Sequence, residues 1–254
     1  MSGASFDLAG RVALVTGGSG GLGRRMGEAL ARAGAAVVLV ARRAPQLADA
    51  VAAIKGEGGE AAGVVRDLAD PAAMDDLARE AGEAFGAPDI LVNAAGVNLR
   101  EAPEAITPES WQHTLTLNLS IPFFLARACV TGMKAKGGGR ILNIASLQSQ
   151  RAFAGGMAYG ASKGGVAQLT RAMAEAWSRD GVTANAVAPG FFPTELTAPV
   201  FADEARAAQL AAQTAVGRNG RLEDLDGITV FLASPAAAYI TGQVIFVDGG
   251  FTAK

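Results

Sequence analysis

Arg11-Val-Ala-Leu-Val-Thr16, running without a break into Gly17-Gly-Ser-Gly-Gly-Leu-Gly23, decides the reading of the fold. A short run of β-branched and aliphatic residues predicts a strand buried on both faces. Beyond it Leu22, Met26, Ala29, Leu30 and Ala33 recur at helical spacing. Strand, glycine turn and helix in that order open a dinucleotide-binding unit. The glycines let the backbone approach a pyrophosphate, and the first N–H groups of the helix face its charge. Gly17, Ser19, Gly20, Gly21, Leu22 and Gly23 are therefore candidate cofactor residues.

Working outward, apolar runs predict strands over 11–16, 36–41, 61–66, 89–93, 139–145, 182–188 and 243–247, with amphipathic helical stretches between them. Alternation of this kind implies an α/β fold of the doubly wound Rossmann type. The expected sheet has seven mostly parallel strands with helices on both faces, in a single domain over 1–254. Ligands in such sheets sit beyond the carboxyl ends of the strands, where Thr16, Ala41, Asp67, Asn93, Ser146 and Pro189 fall. The irregular stretch at about 190–216 is long enough to form a substrate lid. Gly227 to Val247 is uncharged, yet Ser234-Pro235 and Gly242-Gln243 divide it into a helix ending near Ala233 and a buried strand.

Composition narrows the function. The net charge is -2 and no Lys/Arg cluster offsets it, so nucleic acid is not an expected partner. Cys129 and His113 are each the only residue of their type, so no metal site or disulfide framework is expected. Residues 1–7 lack a basic stretch followed by an apolar one, so a cytoplasmic protein without a membrane partner is expected.

The strand at 36–41 ends in Ala41-Arg42-Arg43. An acid at this place would bind the ribose 2′-hydroxyl of NAD, whereas arginine accommodates a 2′-phosphate through parallel hydrogen bonds. Arg42 therefore predicts NADP(H) as the cofactor. Arg43 and Arg24 are either further phosphate ligands or solvated surface charges.

Tyr159-Gly-Ala-Ser-Lys163 puts a phenol and an ammonium four residues apart on one helix face, and Ser146 follows the apolar run 141–145. Lowering a phenol pKa by about three units takes roughly 4 kcal/mol. One ammonium at about 4 Å supplies that much at an effective dielectric near 20, so Lys163 is expected to suffice. Tyr159 is then the candidate general acid and base, and Ser146 a donor to the substrate oxygen. Further along, Thr107-Pro108 predicts a helix start, and the helix runs on through Pro122. Pro122 has no N–H for the carbonyl of Asn118, four residues back, so that acceptor is left over for other use.

Taken together, Thr16-Gly17-x-x-x-Gly21-x-Gly23, Asp67, Asn93-Ala94-Ala95-Gly96, Asn118, Ser146, Tyr159-x-x-x-Lys163 and Pro189-Gly190 with Thr194 resemble the short-chain dehydrogenase/reductase family, from about Leu8 to the C-terminus. Ala94 stands where the family often has a second Asn. The resemblance implies that Asp67, with Leu68, meets the adenine ring and that Asn93, Ala94 and Gly96 pack against the cofactor. It further implies that Pro189, Gly190 and Thr194 hold the nicotinamide end and that Lys163 binds its ribose. The Asn118 carbonyl then carries a water toward Lys163. Substrate-facing positions are expected at Asn98, Gln148, Arg151, Phe153, Met157 and Phe192, with Arg151 either a carboxylate partner or a solvated charge. Within the family the chain is similar to sugar-acid and polyol dehydrogenases of the gluconate 5-dehydrogenase kind, and also to 3-oxoacyl carrier-protein reductases. A non-catalytic NADP-binding sensor or subunit is the reading from another class. The family further implies a homo-oligomer, a tetramer or a dimer.

Overall fold

A computed structural model describes residues 5–254 of the chain. The leader reading of residues 1–7 falls mostly outside them. Seven strands, β1 (Val12–Thr16), β2 (Ala36–Ala41), β3 (Ala61–Val65), β4 (Ile90–Asn93), β5 (Gly139–Ile144), β6 (Val182–Pro189) and β7 (Val244–Val247), form one sheet. Its order is β3-β2-β1-β4-β5-β6-β7, and every neighbouring pair is parallel. Each predicted strand is found, with ends shifted by no more than one residue.

Helices α1 (Gly21–Arg32), α2 (Ala44–Gly56), α3 (Met74–Phe85), α4 (Pro108–Leu115), α5 (Ile121–Ala135), α6 (Met157–Trp177), α7 (Ala198–Phe201), α8 (Glu204–Ala212) and α9 (Asp226–Ala233) make the connections between the strands. Successive strand residues supply two cores, because side chains alternate across a sheet. Ala13, Val15, Val37 and Leu39 pack with Met26 and Leu30 of α1 and Leu232 of α9. Leu14, Val38, Val40 and Leu91 pack on the other face with Leu77 of α3 and Leu125, Cys129 and Met133 of α5. Burying each such aliphatic side chain contributes about 1.5–3 kcal/mol.

The uncharged stretch 227–247 divides as expected, into α9, a short turn and β7. Another segment, Pro108–Ala135, is 28 residues long and apolar enough to cross a membrane by composition, with a mean hydropathy of 1.3. Its apolar side, Ile121, Leu125, Cys129 and Met133, covers the sheet. This segment is not one continuous α-helix. Thr116–Ser120 adopts a π-helix, where the N–H of Ile121 reaches back to the carbonyl of Thr116. Proline at 122 breaks the regular ladder one turn downstream, and a π-turn accommodates it.

Between β1 and β4 the strand order reverses direction, which opens a crevice at the carboxyl edge. Thr16 fixes its floor. Its hydroxyl accepts hydrogen bonds from the N–H groups of Ala94 (3.1 Å) and Ala95 (3.2 Å), so the glycine turn and the end of β4 are locked together.

Candidate active site

Two cavities meet at Tyr159. The larger, about 390 Å³, is lined by Gly17, Ser19 to Gly23, Ala41 to Arg43, Arg66 to Ala69, Ala94 to Gly96, Tyr159, Lys163 and Thr194 to Leu196. Glycine is required at its base. Gly17 has φ +70°, and a Cβ there would lie 2.9 Å from the amide nitrogen of Ala95. At Gly23 a Cβ would stand 2.5 Å from the carbonyl oxygen of Gly17, so α1 could not approach the turn. An open N-terminus of α1 results, capped by Gly20 without any side-chain bond.

Arg42 and Arg43 both line this cavity at the end of β2. Arg42 lies 4.0 Å from Asp67, and Arg43 is 2.8 Å from Glu195. Arg24 does not line it, because its Nε is held 2.8 Å from Glu28 one turn along α1. Arg66, paired with Glu80, adds a third guanidinium. Position 66 offered no sign of this in the sequence beyond ending a predicted strand.

Asn93 needs correction as a cofactor contact. It is buried and turned into the sheet, where its amide donates to Asn143 Oδ1 (2.9 Å) and to the carbonyl of Pro122 (3.3 Å). From there the chain continues through Asn143 to Thr170 Oγ1 at 3.0 Å, tying β4, β5 and α6 into one block. Pro189 and Gly190 line the smaller cavity rather than the larger.

Lys163 is 4% exposed and donates to the carbonyl of Ile144 at 2.6 Å. Its Nζ stands 5.6 Å from the Tyr159 ring centroid. Ser146 begins the turn after β5, with its Oγ accepting from the N–H of Gln148 at 3.1 Å. The Asn118 side chain is fully engaged. Its Oδ1 accepts from Val97 N–H (2.8 Å), and its Nδ2 donates to the Val97 carbonyl (2.9 Å) and Ser162 Oγ (3.0 Å). Its main-chain carbonyl lies inside the π-turn, and Pro122, four residues on, has no N–H to offer it.

Electrostatics revise one expectation. Burial raises the Tyr159 pKa above its ordinary value, against a hydrogen bond with Ser146 and the charge of Arg100, which act to lower it. Burial also pulls Lys163 down from 10.5 to about 8. The expected phenolate is therefore not produced by Lys163 alone, because desolvation penalises both charged forms. At neutral pH the pair is a phenol beside an ammonium.

A pH dependence of stability follows. From about pH 8 to 10.5 the unfolded chain binds a proton at Lys163 that the folded chain has released, so stability rises with pH. Buried Cys129, pushed from 9.0 to about 12, has the opposite sign and takes effect above its unfolded value. The clean window is therefore pH 8 to 9, where urea unfolding should show a gain of roughly 0.5–1 kcal/mol. Lys163→Met should abolish that gain, and a wild-type stability that stays flat or falls across the window contradicts it.

The smaller cavity, about 240 Å³, is lined by Asn98, Ser146, Leu147, Gln148, Phe153, Phe191 and Phe192 among others. Arg151 and Met157 do not reach it. The Arg151 guanidinium turns away to the Lys254 carbonyl (3.2 Å) and lies over the Phe251 ring. Met157, the first residue of α6, is 59% exposed because the helix turns its other face inward. Two residues not anticipated from sequence do line it: Arg100 and, from α8, Arg206. Arg100 has φ +55°, the only positive φ outside glycine among the described residues, and donates to the Leu196 carbonyl at 2.9 Å. Arg100 stands in a loop without a periodic pattern, and Arg206 on a short helix whose placement the sequence pattern did not fix.

The stretch at about 190–216, expected to be a lid, holds a short turn at Glu195–Thr197, then α7 and α8. Its Leu210 packs with Leu147 and Phe251, beside Phe153 and Phe191.

Comparison with known proteins agrees with this geometry. A family model described as "Enoyl-(Acyl carrier protein) reductase" matches residues 17–252. The gluconate 5-dehydrogenase of Gluconobacter oxydans is 40% identical, over 97% of this chain and 96% of that protein. A 3-oxoacyl-[acyl-carrier-protein] reductase of Vibrio cholerae is 38% identical, over 96% of this chain and 98% of its own. The crystal structure of a gluconate 5-dehydrogenase from Burkholderia cenocepacia in complex with NADP and tartrate superposes with a TM-score of 0.93 at 39% identity, covering 98% of both chains. Similarity of this extent in both sequence and fold means that the chain belongs to the short-chain dehydrogenase/reductase family, oxidoreductases that use a nicotinamide nucleotide to interconvert CH–OH and C=O groups.

Proposed function

We propose that the protein is an NADP(H)-dependent dehydrogenase of a small hydroxy or keto acid, with Tyr159 as its general acid and base. One observation carries the substrate class. Arg100 and Arg206 line the smaller cavity and no Asp or Glu does, so the pocket carries two uncompensated cations. A carboxylate is the group that such a pocket selects. The relatives named for gluconate, and the one solved with NADP and tartrate, support the same class.

The larger cavity fits the cofactor. Its base is too tight for a Cβ at Gly17 and Gly23, the N-terminus of α1 faces it, and Arg42 and Arg43 stand at its far end for the 2′-phosphate. When bound, the nicotinamide supplies the hydride for reduction or takes it in oxidation. In reduction the chain's own residues act as follows. Arg100 and Arg206 orient the carboxylate, Ser146 donates to the carbonyl oxygen, and the Tyr159 phenol gives up its proton as that oxygen becomes alkoxide. Lys163, Ser146 and Arg100 then stabilise the phenolate until the proton returns by way of Lys163 and a water held at the Asn118 carbonyl. Oxidation reverses each transfer.

Arg42→Ala is expected to raise the KM for NADPH about tenfold with little change for NADH, as loss of a charge-assisted phosphate contact requires. An equal change for both cofactors would remove the NADP(H) assignment. A carrier-protein substrate is disfavoured by the cations that would have to form its docking rim. Lys134 and Lys136 are paired with Asp180 and Asp89, the latter beside the start of β4, opposite the cleft. A purely NADP-binding sensor would have no use for Ser146, Tyr159 and Lys163 at one cavity junction. The proposal includes a single catalytic domain over the chain, with 190–216 as its lid, acting as a cytoplasmic homo-oligomer, most simply a tetramer.

A further inference from the structure

Glu195 begins the lid and reaches back across the cofactor cavity. Its Oε1 lies 2.8 Å from Nη2 of Arg43, and both atoms would be 3.9 Å from a Cβ placed on Gly20. Gly20 caps α1, so this ion pair roofs the turn where a pyrophosphate would sit. One guanidinium is thus claimed by two anions, a carboxylate from the lid and a phosphate from the cofactor.

We infer that Glu195 is a cofactor-discriminating residue, which competes with the cofactor's phosphates for Arg43, so that the Arg43–Glu195 clasp weakens NADP(H), with its added 2′-phosphate, more than it weakens NAD(H). The inference rests on the proposed assignment of Arg43 to the phosphate. A phosphate monoester carries about -1.5 to -2 at neutral pH and can engage a guanidinium through two parallel bonds, so it displaces a single carboxylate. Glu195 is then left beside a like charge. Of the other guanidinium groups lining this cavity, Arg42 is 4.0 Å from Asp67 and Arg66 is paired with Glu80, so neither is a partner of Glu195. The first turn of the lid keeps its own bonds when the clasp opens. The N–H of Thr194 donates to Thr197 Oγ1 at 3.0 Å, and the N–H of Thr197 to the carbonyl of Thr194 at 3.1 Å. What is released is the tether between the lid and the start of α2. Both side chains are substantially exposed, at 44% and 72%, so the competition tunes cofactor choice and does not switch it on or off.

The test is a fluorescence titration of NADPH and NADH against wild type, Glu195→Gln, Arg43→Gln and the double variant. Glu195→Gln should tighten NADPH about two- to fivefold, the range open to an exposed pair, and NADH by distinctly less. In the Arg43→Gln background it should have no effect on either. Equal tightening of both cofactors, weaker or unchanged NADPH binding, or tightening that persists without Arg43 would each overturn the inference. If Arg43→Gln alone leaves NADPH affinity unchanged, the assignment of Arg43 to the phosphate fails along with it. Weakened NADPH binding in Arg43→Gln, with Glu195→Gln neutral, overturns the inference alone.

Discussion

Replacing Tyr159 with Phe should lower kcat for carbonyl reduction by about 10²–10⁴-fold, the range that general acid catalysis supplies, with NADPH affinity nearly unchanged. The ring packs against Lys163 and the junction of the two cavities, and Phe preserves that contact while removing the phenol proton. Burial raises the phenol pKa, so Tyr159 is protonated across the neutral range and acts as an acid without a preceding proton transfer. Single-turnover reduction with saturating NADPH, alongside an independent titration of cofactor binding, is the measurement. A variant that keeps most of its rate would transfer the acid role elsewhere. No other phenol or imidazole lines the smaller cavity.

The second large effect is expected at Arg100. Arg100→Met should raise KM for a hydroxy or keto acid about 10- to 100-fold, the loss of one charge-assisted hydrogen bond in a partly enclosed cavity. Turnover of a neutral polyol or ketone should change little in KM. That split separates carboxylate recognition from general disruption of the loop. The loop itself argues for a purpose, because a left-handed φ costs a non-glycine residue on the order of 1–2 kcal/mol. Its guanidinium also binds the carbonyl of Leu196, so part of any loss would come from the lid. Arg206→Gln provides the check. It removes the second cation without touching Arg100 or that bond, and a smaller KM rise confined to acids is expected. Equal KM increases for acids and neutral polyols in both variants would exclude carboxylate recognition.

Most of the fold was legible because burial on both faces favours near-continuous aliphatic runs, and these stand out at β1, β2 and β4. The glycine turn was legible for a related reason, since a backbone that must approach both a ligand and a helix admits nothing larger. The cavity walls were not. Arg151 and Met157 lie close in sequence to Ser146 and Tyr159, but proximity along a chain does not fix direction. A three-residue turn carries one away, and the first turn of α6 exposes the other. Arg100 and Arg206 arrive from a loop and a lid whose conformations depend on contacts distant in sequence, such as Arg100 with Leu196. Asn93 sits at a strand end in the expected place, yet hydrogen bonds to Asn143 and Pro122 turn it inward. Hydrophobic pattern cannot report which way a polar side chain at a strand end will face.

Tyr159, Ser162 and Lys163 ride on a single helix, which the buried Asn93–Asn143–Thr170 chain fastens to the sheet. The proton donor and its cation are thus carried by one piece of backbone, and their spacing is set within α6 alone. Segment 196–210, which supplies Leu196, Thr197, Val200, Arg206 and Leu210 to the smaller cavity, can change its side chains without altering that spacing.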